Sequence, residues 1–205
     1  MREKILKAIQ ELRKNSKKRN FSQTFDLIIN LKDFDVKKPE NRFVEDVILP
    51  HGRGKEARIV VFSDSLKNLG CEILTTKDLE FYSKNRREVK KLVKDVDFFF
   101  AEPKIMVQVG KIFGQYMGPK GKMPKIITEN VEKITEDYKK AVRIRVKDSP
   151  TIQCMVGKED MKDEEICENI EAVIKAVQAK LPRGMQNIKN IFIKLTMSKP
   201  VKVEV

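Results

Sequence analysis

The chain has 205 residues and a mass of 23.8 kDa, with 43 Lys+Arg against 30 Asp+Glu, a formal net charge of +13. That length predicts one or two domains, and an apolar fraction of 40% with 11 Phe supplies a packed core, which excludes a disordered basic tail. No window approaches the roughly 18 apolar residues that cross a bilayer, and the polar, partly acidic N-terminus is no secretory or transit signal, so the expected compartment is the cytoplasm.

The first segment reads as a helix, with Ile5, Leu6, Ile9 and Leu12 forming an apolar stripe and no Gly or Pro before Pro39. It runs out into Arg13, Lys14, Asn15, Ser16, Lys17, Lys18 and Arg19. Residues 1–20 carry eight basic and two acidic side chains, 8 − 2 = +6. A basic last turn complements the helix dipole, but this run exceeds that need. FSQTFDLIINL at 21–31 turns strand-like, with Phe25, Leu27 and Ile29 alternating onto one face. A polar loop, a short strand FVEDVILP and a turn PHGRGK follow.

From ARIVVFS at 57–63 the rhythm changes. That apolar run has no alternation, as in a strand covered on both faces of a parallel sheet. A short helix closed by Gly70, a strand CEILT, one helix over TKDLEFYSKNRREVKKLV, an apolar strand VDFFFAE and a helix opening at Pro103 complete a βαβαβ pattern. AVRIRV at 141–146 is expected to return as an edge strand of that layer. The pattern then reverts: a strand TIQCMVG, a long helix at 161–180 with Ile166, Ile170, Val173 and Val177 in its stripe, and two strands, NIFIKLTM and VKVEV.

The expected fold class is therefore α/β in two parts. Residues 1–59 plus 150–205 form a discontinuous α+β domain with an antiparallel sheet and two helices. Residues 60–149 form an inserted, Rossmann-like parallel α/β domain.

Catalytic chemistry finds little support. In the phosphate-loop pattern, Gly121 and Lys122 would need a glycine where Tyr116 stands and a Ser or Thr where Met123 stands. The dinucleotide pattern GxGxxG is absent. His51, between Pro50 and Gly52, is the one imidazole and fits a turn. Cys71, Cys154 and Cys167 are odd in number and unclustered, which excludes a disulfide scaffold and a zinc site. Asp160, Asp163, Glu164 and Glu165 read as a helix start rather than metal ligands. No cofactor, metal or enzymatic activity is expected, although a nucleotide-dependent or RNA-modifying enzyme in the inserted domain is the rival from another class.

Binding remains. The charge points to a polyanion, nucleic acid before membrane. Lys14, Lys18, Arg19 and Phe21 precede one terminal strand; Lys194, Thr196, Met197, Ser198 and Lys199 end another. If those strands share a sheet, they unite charge, hydroxyls and apolar groups on one surface, the mixture by which proteins recognise folded RNA. The segment GQYMGPKGKMPK, with Gly118, Lys120, Gly121 and Lys122, is either a second RNA- or tRNA-facing loop or a flexible connection.

FSQTFDL, LPHGRGK, MGPKGKMP and KLTMSKP, in this order around a discontinuous terminal domain, resemble the family of large-subunit ribosomal protein one, in its archaeal branch. The resemblance covers essentially the whole chain. It implies a structural, ribosomal, RNA-binding role at the mobile stalk beside the tRNA exit site. The partners it implies are large-subunit ribosomal RNA, exit-site tRNA and the protein's own mRNA, whose translation family members repress. No membrane is implied, and the protein is expected to be a monomer off the ribosome. A regulatory RNA binder that never joins the ribosome would use the same surface. The family's Phe and Thr at the start of the first strand correspond to Phe21 and Thr24, and its Thr-Met-Gly triplet to Thr196, Met197 and Ser198. Ser198 departs from the usual Gly, either crowding the RNA or adding a hydroxyl contact, and Lys122 stands at an ordinarily apolar position.

Overall fold

The computed structural model describes residues 1–17, 19–66, 70–127 and 130–203. In chain order the elements are α1 (Arg2–Asn15), β1 (Thr24–Leu31), β2 (Phe43–Ile48), β3 (Ile59–Phe62), β4 (Glu72–Leu74), α2 (Thr76–Lys84), α3 (Arg86–Asp95), β5 (Phe98–Ala101), α4 (Pro103–Met117), β6 (Lys125–Ile126), α5 (Val131–Lys139), β7 (Ala141–Val146), β8 (Thr151–Lys158), α6 (Asp163–Lys180), β9 (Ile188–Leu195) and β10 (Val201–Val203). They divide into a unit made of Met1–Lys55 and Lys140–Val205, and a second unit, Glu56–Lys139.

In the first unit β10, β9, β1 and β8 form an antiparallel sheet in that order. Alternation along β1 sends Phe25, Leu27, Ile29 and Leu31 inward, against Ile5, Ile9 and Leu12 of α1 and Ile166, Ile170 and Val173 of α6. Thr24, Asp26, Ile28 and Asn30 lie half-exposed on the other face. Both helices place an apolar stripe at helical spacing on this sheet, and the match between a period of two and a period of 3.6 makes the core. Arg13 locks the assembly. Its guanidinium donates to Asp163 Oδ1 at 2.6 Å and to the carbonyls of Glu159 and Met161 at 2.7 and 2.6 Å, and it stands over the Phe25 ring. A residue counted in the basic run thus works internally.

β7 corrects the sequence expectation. It pairs antiparallel with β2, from Phe43 opposite Val146 to Ile48 opposite Ala141, within the first unit. Its inward Val142, Ile144 and Val146 join the core built on α1 and α6. The Arg143 guanidinium, on the intervening positions, is forked onto Asp46, with Nε–Oδ1 at 2.7 Å. That partner lies about a hundred residues away, which local pattern cannot reveal. The unit boundaries accordingly fall at 55/56 and 139/140 rather than at 59/60 and 149/150.

The second unit is a parallel sheet in the order β4, β3, β5, β6. Every residue of β3 and β5 is buried, as strands covered on both faces require. On one face Val60, Phe62 and Phe99 meet Leu79, Val89, Val109 and Phe113 from α2, α3 and α4. On the other, the Tyr138 ring of α5 packs edge-on against Phe98 and Phe100; neither α5 nor β6 stood out in the sequence. The single helix expected over 76–93 is two helices, broken at Asn85. There ψ is 76°, the backbone N–H donates to the Tyr82 carbonyl and the side-chain amide to the Phe81 carbonyl. Asparagine's local hydrogen bonds compete with the helix ladder. The short helix expected before Gly70 falls partly on 67–69, outside the described residues, as do residues 204 and 205 of the last strand.

Candidate nucleic-acid interface

The sequence-expected surface assembles where β1 begins and β9 ends. Because these strands are adjacent and antiparallel, Thr24 and Thr196 meet: the Thr24 N–H donates to Thr196 Oγ1 at 3.0 Å, the two hydroxyl oxygens are 2.9 Å apart, and the Thr196 N–H donates to the Thr24 carbonyl at 3.1 Å. Beyond them Phe21 is 52% and Met197 61% exposed. Phe21 is therefore a surface ring, not a core residue. An exposed aromatic and thioether beside paired hydroxyls offer apolar contact to bases or sugars and polar contact to riboses.

The turn after β9 is self-bonded. Ser198 Oγ accepts the Leu195 N–H at 2.8 Å, and its own hydroxyl faces the Leu195 and Lys199 carbonyls. The Ser198 side chain thus holds the turn instead of standing outward. Sequence reasoning missed Gln23, which is 1% exposed. Its Oε1 accepts the Met197 N–H at 3.2 Å and its Nε2 donates to Ser16 Oγ at 3.2 Å, so it ties the exit of α1 to the turn carrying Met197. Its backbone exchanges hydrogen bonds with Glu159. The only signal in the sequence was its inward parity two residues before Phe25.

A cleft between α1 and this turn is lined by Lys17, Arg19, Gln23, Met197, Ser198 and Lys199, among others. Arg19 and Lys199 thus share this cleft with Met197 and Ser198, and Lys17 joins them, whereas Phe21, Thr24 and Thr196 are not among its lining residues. Lys14 is exposed on α1 but is not among those lining residues, and Lys18 lies outside the described residues. Lys194 lies half-exposed on the open sheet face opposite Asp26.

Burial pushes the Asp26 carboxyl up from its ordinary 3.8, and the Lys194 charge opposes that rise. A carboxyl raised by folding favours the protonated form, so its contribution is fully present below the unfolded pKa and is lost as pH rises through the folded one. Asp26→Asn, which keeps the neutral shape, should therefore gain stability relative to the native chain as pH rises above the carboxyl's ordinary 3.8. Melting curves across a pH series check it, and a constant difference would refute the assignment.

The Gly-rich segment divides. Gly114 lies inside α4, Gly118 caps it in helical geometry, and Gly121 turns the chain with φ +65°. The Lys122 ammonium donates to the Val93 and Val96 carbonyls at the end of α3. A lysine that caps carbonyls is held at a helix C-terminus, so the Lys122 ammonium is engaged with the end of α3.

Groups of catalytic type are hydrogen-bonded to one another in two places. At the switch point of the parallel sheet, between the carboxyl ends of β3 and β5 where such folds bind nucleotides, the Ser63 and Ser65 hydroxyls both donate to Glu102, and Asp64 takes the Thr76 N–H and hydroxyl. His51 Nε2 faces Glu168 Oε2 at 2.6 Å, while Glu168 is also bound by Arg2. Hydrogen bonds from these two groups hold the Glu168 carboxyl below its usual range, that from His51 the larger. Burial, with the Asp26 charge adding, pushes the Cys154 thiol up to about 12, so it stays protonated as a core side chain.

The sequence profile of the ribosomal protein L1p/L10e family matches residues 12–199. Proteins named large ribosomal subunit protein uL1 are similar to this chain along nearly its whole length. That of Pyrococcus horikoshii is 43% identical, covering 99% of this chain and 96% of its own. That of Thermococcus kodakarensis is 44% identical over 99% and 98%, and that of Methanothermobacter thermautotrophicus 43% over 99% and 100%. Both the breadth of the profile match and the archaeal relatives lead to one conclusion: the chain belongs to the ribosomal protein L1p/L10e family.

Proposed function

We propose that this protein is a structural, non-catalytic constituent of the large ribosomal subunit. It binds ribosomal RNA of the mobile stalk through the corner formed by Phe21, Thr24, Thr196 and Met197, with Arg19, Lys194 and Lys199 placing phosphates. In this reading it works as a monomer until it joins the ribosome in the cytoplasm. There it assists the release of deacylated tRNA from the exit site, with Gly118, Lys120 and Gly121 of the inserted unit contributing. The same corner, offered a similar fold in its own mRNA, represses translation.

The observation that carries the reading is the cross-strand bond between Thr24 and Thr196 beside two apolar side chains left in solvent. Burying exposed Phe and Met needs a partner with flat apolar faces, and a net charge of +13 selects one that is also anionic. Structured RNA has both.

The test is binding to a large-subunit stalk RNA fragment across a salt series, against an unrelated structured RNA. The wild type should hold the fragment at salt concentrations that strip the competitor. Thr196→Val removes the acceptor of the Thr24 N–H and should weaken fragment binding about tenfold, near 1.4 kcal/mol, with an unchanged salt slope. Equal, steeply salt-dependent binding of both RNAs would reduce the interaction to charge alone.

A further inference from the structure

Between Pro103 and Thr128 the chain carries five lysines, at 104, 111, 120, 122 and 125, and no acidic residue. The inserted unit as a whole has 16 basic and 13 acidic residues over Glu56–Lys139, a balance of 16 − 13 = +3. Everything outside that stretch therefore sums to −2, and the unit's positive charge resides on α4 and its exit.

The solvent side of α4 is built in an unusual way. Its inward stripe is Ile105, Val109, Phe113 and Met117. Its outward positions are Lys104, Val107, Gln108, Lys111 and Gln115. Val107 is 65% exposed, the most exposed large apolar side chain among the described residues. Gly110 and Gly114 stand beside this row, and a Cβ built on either would meet nothing within 4 Å. Neither glycine is demanded by packing. Each costs a helix interior stability relative to alanine, for no internal gain. What two bare positions provide is access: another molecule can approach the helix backbone there, between Lys104 and Lys111, about 10 Å apart along the axis.

We propose that this outward face of α4 is a second RNA-docking surface, taking the sugar–phosphate backbone of a structured RNA. Lys104 and Lys111 neutralise phosphates, Gln108 and Gln115 hydrogen-bond riboses or phosphates, Val107 covers a sugar, and Gly110 and Gly114 let the strand come close. Charge complementarity selects the occupant. The face has two cations and no carboxylate, and its polar groups are the lysine and amide side chains that contact phosphate and sugar without reading sequence. It rests on the reading of the protein as an RNA binder, but it uses none of the terminal residues. It adds a surface on the preceding helix to the contact proposed for Gly118, Lys120 and Gly121, while Lys122 of that turn is engaged with α3.

The experiment uses the full chain saturated with unlabelled stalk fragment, then titrated with a fluorescently labelled 20-base-pair RNA duplex at 0.1 M salt. Wild type should take up the duplex as a second ligand. Lys104→Gln with Lys111→Gln should weaken duplex binding about tenfold or more and lower its salt slope by about two, with fragment affinity unchanged. Gly110→Ala with Gly114→Ala should raise the melting temperature and still weaken the duplex severalfold, a combination that misfolding cannot produce. Duplex binding that ignores both variants overturns the proposal and leaves the terminal surface standing. Failure of the fragment alone to bind overturns the terminal reading instead, and duplex titration of the free protein then still reports on α4. Capture of polyglutamate in place of the duplex overturns the choice of RNA.

Discussion

Asp46→Ala should lower the unfolding free energy by about 3–5 kcal/mol, the largest loss expected from any single substitution considered. The Asp46 side chain is 2% and that of Arg143 16% exposed, and the two are joined through Nε–Oδ1 at 2.7 Å and a second, longer contact at 3.3 Å. Truncating the carboxylate leaves a largely desolvated guanidinium without that partner. The pair also staples β2 to β7 at the position where the chain has just returned from the inserted unit. Urea unfolding followed by circular dichroism reads the loss. Asp46→Leu combined with Arg143→Met should recover most of it, because an apolar pair removes both desolvation costs together. A single-variant loss under about 1 kcal/mol would mean that the pair is solvated in solution.

Gln23→Leu should weaken binding to the stalk RNA fragment by about 2–3 kcal/mol, some 30- to 150-fold, although the side chain is 1% exposed and cannot itself reach RNA. Leucine keeps most of the volume but strands the Met197 N–H and removes the donor to Ser16. The turn that presents Thr196 and Met197 then loses its tether to α1. Because no phosphate contact disappears, the salt slope should stay at the wild-type value, whereas loss of a lysine would reduce it by about one. The far-ultraviolet spectrum should be unchanged at the binding temperature. Undiminished affinity would show that the turn holds its shape on the Ser198 bonds alone.

Where the chain announced itself, the signal was periodicity. The alternating Phe25, Leu27 and Ile29, the unbroken apolar runs of β3 and β5 and the stripe of α6 each state which side of an element is buried, and all of these positions are buried. Order along the chain also placed half-buried strands at both ends around a parallel-type middle. The residue types of the candidate surface were visible in the same way, since hydroxyls, exposed apolar groups and lysines flank the two terminal strands.

Partnership was not visible. AVRIRV alternates equally well for either unit, and only its antiparallel register with β2 and the forked Arg143–Asp46 pair settle where it lies. Asn85 divides a helix because its own hydrogen bonds defeat a propensity that favours continuation. Charge misleads in the same manner. Arg13 and Lys122 count toward +13 in the sequence, yet one grips the loop before α6 and the other caps α3. The sequence by itself determined the alternation of buried and exposed positions, the kinds of strand and the family, because these depend on neighbours a few residues apart. The tertiary structure alone decided which strands pair, which cations are spent on carbonyls and carboxylates, and how Gln23 reaches Met197, because those energies depend on groups up to about 170 residues distant.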